Sequence, residues 1–504
     1  MPIHTPTAAP DRRGAKILAT LGPASSSREV IAQLVDAGLD AVRLNFSHGD
    51  HDTLAAIIAR ARAAQAASGR PLALLGDLQG PKIRIGVLPA PILLHAGWTV
   101  RIRPQGASAP GAPAPGAPVD GLLPLETDYA GLAAHVQAGQ RVYLKDGLID
   151  LEVTQVEPDG PDAHVDAVVR NGGMLTSRAG MNIPGVRLDL PALSDKDLAD
   201  LRFAVEQGLD YLALSFVHDA ADLRAARSAL DALGSDMHVI AKIETAFALE
   251  RLPEIMQAAD GVMVARGDLG VEIGAENVPI WQRRIIDAAA EALVPCIVAT
   301  QMLESMVSNA RPTRAEASDV ANAVWDGTDA VMLSAETAVG DYPVQAVAMM
   351  DRIIRRAEEG GDAQRVARAG GDWSRDASRS VSWAVRAVVE QNADVRAVIA
   401  FTISGYTGRL IAQDRMRVPV IVLAPARAVE QRAALLWGVR PVHCPPPADL
   451  DAMLRTVDAI ARAELGCEDG AQVVVVGGVP LNMGKPTNFL QLHAVGEARH
   501  AAGD

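Results

Sequence analysis

Lys242, Glu244 and Asp268 are the residues of this chain best suited to act on a phosphoryl group. Lys242-Ile243-Glu244 ends an apolar run that begins at Val239. Ala265-Arg266-Gly267-Asp268 ends a second that begins at Gly261. An ammonium and two carboxylates therefore stand where strands give way to loops. Alternation along a strand turns Lys242 and Glu244 to one side and Ile243 to the other. A magnesium ion takes few carboxylates and completes its shell with substrate phosphate and water, which Glu244 and Asp268 satisfy without a full protein cage. Lys242 is then left to meet phosphoryl charge.

More polar groups sit at the ends of other runs. In Arg43-Leu44-Asn45-Phe46-Ser47, period two puts Arg43, Asn45 and Ser47 on one face. Asp77 ends a third run, and Gly80-Pro81-Lys82-Ile83-Arg84 follows at once, bringing two further cations toward Arg43. Arginines offer forked donors matched to phosphate oxygens. Each group also has a structural reading when taken alone. An arginine at a strand end is often a solvated rim charge, Asp77 suits a turn cap, and Thr300-Gln301 suit core positions satisfied by backbone. His48 beside Ser47 reads as a turn residue, since strand neighbours face opposite ways and no third group orients a triad. Convergence of several such groups at one end of one architecture favours a site.

That architecture is read from short β-type runs alternating with Ala-rich helical stretches, the mark of βα units around a parallel sheet. Runs stand at Ile17 to Leu21, Ala41 to Phe46, Leu72 to Leu78, Tyr211 to Phe216, Val239 to Glu244, Gly261 to Ala265, Cys296 to Gln301 and Ala330 to Ser334. Eight runs predict a closed α/β fold, the (β/α)8 TIM barrel, whose C-terminal strand ends carry the chemistry. A long gap after the third run, rich in Val, Gly and Pro and alternating at Val142 to Leu144 and Leu148 to Val153, predicts an inserted small β-barrel lid domain. Its Pro/Ala/Gly tract from Pro104 to Pro118 is a low-complexity excursion to which no function is assigned. Ser194 with Asp197 three residues on opens a helix as a capping box. Past a polar linker running to Asp376, runs at Val395 to Thr402, Val418 to Leu423 and Gln472 to Val476 predict a C-terminal α/β domain. The expected division is a tail 1–15, a barrel 16–85 and 186–357, a lid 86–185 and an effector domain 358–504.

The chain has 504 residues, 49% of them hydrophobic, enough for a large core in more than one domain. A formal charge of -14 argues against nucleic-acid binding, though it leaves room for a local basic pocket. Three scattered cysteines make neither a disulfide framework nor a zinc site. No apolar stretch resembles a signal core or approaches a span of ~20 residues, so a cytoplasmic protein with no membrane partner is expected.

Seven ordered motifs carry a resemblance: RLNFSHG (43 to 49), GPKIR (80 to 84), AKIE (241 to 244), MVARGDLGVE (263 to 272), ATQMLESM (299 to 306), RPTRAEASDVANAV (311 to 324) and DAVMLSAET (329 to 337). Together they resemble the pyruvate kinases. The resemblance implies phosphoryl transfer from phosphoenolpyruvate to ADP, giving pyruvate and ATP, the final step of glycolysis. Lys242 would neutralise the phosphoryl group in flight. Glu244 and Asp268 would hold Mg²⁺ (or Mn²⁺), and the amides of Gly267 and Asp268 would grip the carboxylate. Arg43 and Arg84 would orient phosphate, and Thr300 would stand where the enolate carbon gains a proton through water. Asp146 and Arg178 on the lid would join Arg84 at the nucleotide.

Many members use K⁺ held by groups matching Asn45, Ser47, Asp77 and the Leu78 carbonyl, and carry a glutamate where Lys82 stands here. A fixed ammonium replaces the ion electrostatically and repels it at short range, so K⁺ is expected to be dispensable. Gln79 and Ala179 also stand where many relatives have lysines. Thr402-Ile403-Ser404-Gly405-Tyr406-Thr407-Gly408 lies between a strand and a helix and resembles the family's effector-phosphate loop. With Thr402, Ser404, Thr407 and the distal Lys485 as its groups, a monophosphate such as AMP or a sugar monophosphate is the expected effector. The alternative is a Ser/Thr-rich helix start with no ligand. The family also implies a homotetramer, with the small-residue face of the helix beginning near Thr313 at an interface. Two rival readings are a Mg²⁺-dependent lyase or aldolase acting on a pyruvate enolate, and a non-catalytic phosphometabolite sensor. Neither needs Lys242.

Overall fold

The computed structural model describes residues 13–106, 122–158, 160, 163–360, 376–481 and 483–497. Most of the Pro104 to Pro118 tract and of the linker before Asp376 lies outside the described residues.

Eight parallel strands close into a barrel in simple sequential order. They are β1 (Lys16–Thr20), β2 (Ala41–Asn45), β3 (Ala73–Asp77), β4 (Tyr211–Leu214), β5 (His238–Ile243), β6 (Gly261–Ala265), β7 (Cys296–Ala299) and β8 (Ala330–Leu333). Each begins within two residues of its sequence-based expectation. Strand parity sorts the side chains into two cores. Leu18, Ala41, Leu75, Ala213, Ile240 and Met263 belong to the cluster that fills the barrel interior. Ile17, Val42, Leu74, Leu212, Ala241 and Val262 pack outward against the helices. A polar residue two positions beyond an interior one must therefore emerge at the mouth. Ile240 thus sets the direction of Lys242 and Glu244, Ala41 that of Arg43 and Asn45, and Leu75 that of Asp77.

The insert between β3 and β4 forms a six-stranded sheet in the order Met181–Asn182, Arg141–Leu144, Ile149–Glu157, His164–Asn171, Thr99–Pro104, Leu122–Thr127, flanked by a two-stranded sheet. Pro124 occupies the edge strand, where a missing N–H costs no ladder bond. The two crossings between barrel and insert are fastened together. Asp197, fully buried, accepts the Gly80 amide on one oxygen (3.1 Å) and the Ser194 amide on the other (2.9 Å), while Ser194 caps the helix Asp195–Glu206 in the expected capping box.

The C-terminal sheet has the order β11-β10-β9-β12-β13, from β9 (Val395–Phe401), β10 (Val420–Ala424), β11 (Val439–His443), β12 (Gln472–Gly477) and β13 (Phe489–Ala494), with β13 antiparallel. Ala434 and Leu435 of this part plug the barrel's closed end. Lys16 donates to the Val439 carbonyl (2.7 Å) and Tyr211 to the Arg432 carbonyl (2.8 Å). No described helix is long and apolar enough to cross a membrane.

Candidate active site

The mouth of the barrel gathers the charges that strand parity aims there. Arg43 Nε donates to Asp77 Oδ2 at 2.7 Å and Nη1 to Thr20 Oγ1 at 3.0 Å. Lys242 Nζ donates to Ser215 Oγ at 2.7 Å and lies 3.5 Å from Asp77 Oδ1 and 3.4 Å from Glu244 Oε2. Glu244 Oε1 accepts the Phe216 amide at 2.6 Å, whereas the buried Oε2 makes no hydrogen bond. Burial alone lifts the Asp77 pKa, but Lys242 and Arg43 outweigh it and hold the carboxyl below its usual value. Burial works against the Lys242 ammonium too, yet Asp77, Glu244 and Asp268 raise its pKa. For Glu244, burial together with the like charge of Asp268 overrides Lys242 and pushes the carboxyl up to about 7.

Asp268 lies in the first turn of the helix Arg266–Ile273, directly after β6. Opposite, Thr300 and Gln301 continue β7 in the left-handed region, at φ of 75° and 56°. For β-branched Thr300 that conformation costs about 1–3 kcal/mol. Arg266 holds it there, donating to the Thr300 carbonyl at 2.6 Å and the Ala299 carbonyl at 3.2 Å. Gly267 permits the approach, since a Cβ there would lie 3.0 Å from the Thr300 methyl. A cleft of about 1120 Å³ runs from Gly267, Asp268 and Thr300 to Lys82 and Asp146 on the side of the insert.

The expected residues thus fall into groups. Arg43, Asp77, Lys242 and Glu244 share one cluster, with Asp268, Gly267 and Thr300 beside it. Lys82 and Arg84 do not join Arg43 there. Gly80, at φ +70°, turns the chain out of the wall, so Lys82 Nζ pairs with Asp146 at 3.0 Å. Arg84 Nη1 donates to the Arg178 carbonyl at 3.2 Å. Asn45 Oδ1 accepts the Ser47 amide, and the Leu78 carbonyl accepts Ser215 Oγ. Among the described residues no group of three or more His, Cys, Asp or Glu is placed to hold a metal; Glu244 and Asp268 are a pair. In the C-terminal part, Thr402 Oγ1 accepts the Gly405 amide at 2.9 Å and Thr407 Oγ1 meets Thr487 Oγ1 at 2.9 Å. That contact brings the loop to the segment carrying Lys485; Ser404 and Lys485 are exposed. Sequence reasoning missed Ser215, Arg266 and Thr20. Ser215 follows Tyr211 and Ala213 in interior parity, which was its available signal.

Two family models match: "Pyruvate kinase, barrel domain" over residues 12–347 and "Pyruvate kinase, alpha/beta domain" over residues 379–493. Among curated proteins, the chain is 42% identical to a pyruvate kinase of Corynebacterium glutamicum over 97% of its own length and 98% of the relative's. It is 42% identical to one of Mycobacterium tuberculosis, covering 96% and 99%. To one of Geobacillus stearothermophilus it is 40% identical, covering 96% and 81%. With seven motifs, a sequential eight-stranded barrel and matches running nearly end to end, the chain belongs to the pyruvate kinase family.

Proposed function

We propose that this chain transfers the phosphoryl group of phosphoenolpyruvate to ADP, forming pyruvate and ATP as the final step of glycolysis. The observation that carries the reading is the Lys242 ammonium, poised among Asp77, Glu244 and Ser215 with one carboxylate oxygen of Glu244 left unbonded beside it. A buried unbonded carboxylate oxygen suits a cation, and two carboxylates suit Mg²⁺ or Mn²⁺, which draw further ligands from substrate and water. Glu244 and Asp268 would hold that ion, which would supply Lewis-acid polarisation. Lys242 and Arg43 neutralise the phosphoryl oxygens, where positioning and charge supply the rate. Amides at the start of the helix Arg266–Ile273 receive the substrate carboxylate. Thr300 orients the water that protonates the enolate carbon. Arg84, Asp146 and Arg178 face the nucleotide.

Because Glu244 carries its proton up to about pH 7 in the metal-free protein, the ion must displace that proton. Mn²⁺ affinity, read by electron paramagnetic resonance, is expected to rise about tenfold per pH unit below 7 and level off above it. A flat profile from pH 5.5 to 8 contradicts the assignment.

Lys82 lines the cleft, its ammonium paired with Asp146 at 3.0 Å, while Asn45, Leu78 and Asp77 are already engaged by Ser47, Ser215, Arg43 and Lys242. We read K⁺ as dispensable. In a buffer free of Na⁺ and K⁺, ADP-dependent pyruvate formation coupled to lactate dehydrogenase is expected to be robust, and KCl at constant ionic strength to change it little. A many-fold rise overturns the K⁺ reading; silence with and without K⁺ overturns the kinase reading and favours a Mg²⁺-dependent lyase. Thr402, Ser404, Thr407 and Lys485 make up an allosteric site for AMP or a sugar monophosphate. The helix Arg314–Asp326, with Trp325 exposed, serves a homotetramer interface.

A further inference from the structure

The shortest contact of Lys242 is to a neutral hydroxyl, although two carboxylates stand within reach. Ser215 is buried. Its single hydroxyl proton has the Leu78 carbonyl at 2.7 Å and Asp77 Oδ1 only at 3.5 Å, so it is committed to Leu78. A lone pair is thereby fixed toward Lys242 Nζ, 2.7 Å away. The carboxylate oxygens, at 3.4 and 3.5 Å, lie beyond good hydrogen-bond length. Gly80 packs close beside Ser215, leaving no room for a side chain of its own: a Cβ there would lie 2.9 Å from the Ser215 Cβ. The amide of Gly80 is in turn held by buried Asp197.

We propose that Ser215 is a positioning residue that restrains the Lys242 ammonium from closing onto Glu244 Oε2 and so keeps that oxygen free for the divalent ion. The inference rests on the reading of Glu244 as a metal ligand. Without the hydroxyl, Nζ loses its one short partner, and a shift of about half an ångström brings it into contact with an oxygen that has no hydrogen bond. Ammonium and metal then compete for the same lone pairs.

The test is Mn²⁺ binding, by electron paramagnetic resonance, to the full chain and to Ser215→Ala in two backgrounds, Lys242 and Lys242→Met. In the Lys242 background, Ser215→Ala is expected to weaken Mn²⁺ about tenfold, the scale of one charge-assisted hydrogen bond. In the Lys242→Met background, with no ammonium to collapse, the same change is expected to cost less than about twofold. Equal losses in both backgrounds, or none in either, overturn the proposal, because a merely structural serine does not depend on Lys242. Ser215→Cys, which keeps a donor for Leu78 but offers Lys242 a poor acceptor, must move in the same direction and decides the matter if the alanine variant does not fold. Glu244→Gln separates the two levels. If it leaves Mn²⁺ binding intact, the metal-ligand reading has failed and this inference with it. If it abolishes binding while Ser215 has no effect, the inference alone has failed.

Discussion

Lys242→Met is expected to lower kcat about 10³-fold while changing the KM for phosphoenolpyruvate only a few-fold. Methionine keeps the length and most of the volume of lysine, so the change removes a charge and little packing. In the resting protein the loss is contained, since Asp77 keeps Arg43 at 2.7 Å and Ser215 keeps its bond to Leu78. During transfer the loss is not contained. A phosphoryl group passing between two oxygens spreads negative charge over its equatorial oxygens, and a preorganised donor in a dry site is worth about 10²–10³ in rate. Lys242 is a full charge with its pKa raised by three carboxylates, which places it at the upper end. Arg43 and the helix start still hold the ground-state substrate, so KM moves little. Steady-state kinetics with near-ultraviolet circular dichroism as a folding control measures both. A kcat within tenfold of the parent moves the neutralising role to Arg43.

Glu244→Gln is the second large expectation: Mn²⁺ affinity and turnover both fall at least about 100-fold, while the melting temperature of the metal-free protein at neutral pH holds or rises. These outcomes are compatible because the carboxyl titrates at about 7. Burial and the charge of Asp268 push it toward the neutral form, which an amide imitates without the cost of ionising a buried group. The amide oxygen keeps the bond from the Phe216 amide. What disappears is an anionic oxygen for the metal, and magnesium-type ions bind amide oxygen far less well than carboxylate. Titration with Mn²⁺ and a thermal melt without it test the two halves. Retained affinity excludes Glu244 as a ligand; a large fall in melting temperature makes it a structural group.

The barrel and the centre of the site were legible in the sequence for one reason. Strands of fixed parity ending at a common level leave polar residues nowhere to point but the mouth, and Lys242, Glu244, Arg43 and Asp77 all obey it. The same rule covers Ser215, but an uncharged side chain between Leu214 and Phe216 attracts no notice until its partner is seen. Proximity in sequence misled for Arg84 and Lys82. They follow Asp77 closely, yet the left-handed turn at Gly80 carries them to the insert, and the pairing of Lys82 with Asp146 spans 64 positions of chain. Nothing in ATQM announces a left-handed threonine, because that conformation is imposed from outside by Arg266. In the C-terminal sheet the runs at β9, β10 and β12 are apolar apart from Arg396 and the opening Gln472. β11 and β13 lie at its edges, where Arg440, Pro441, Gln491 and His493 interrupt the pattern.

Asp197 has a consequence for how such a chain folds and varies. By holding Gly80 and Ser194 on one carboxylate, it makes the point where the excursion leaves the wall and the point where it returns a single buried neck. Seen from the barrel, everything beyond that neck is one closed loop. The entropy of closing a flexible loop grows only with the logarithm of its length, about 0.6 kcal/mol for each doubling. A longer or shorter excursion therefore weighs little on the barrel, whose wall joins β3 to β4 as though they were consecutive. Variation in length is cheap beyond the neck and costly within it, so lineages of such barrels are free to lengthen or trim the insert while the few residues from Gly80 to Pro81 and from Ser194 to Asp197 stay constrained.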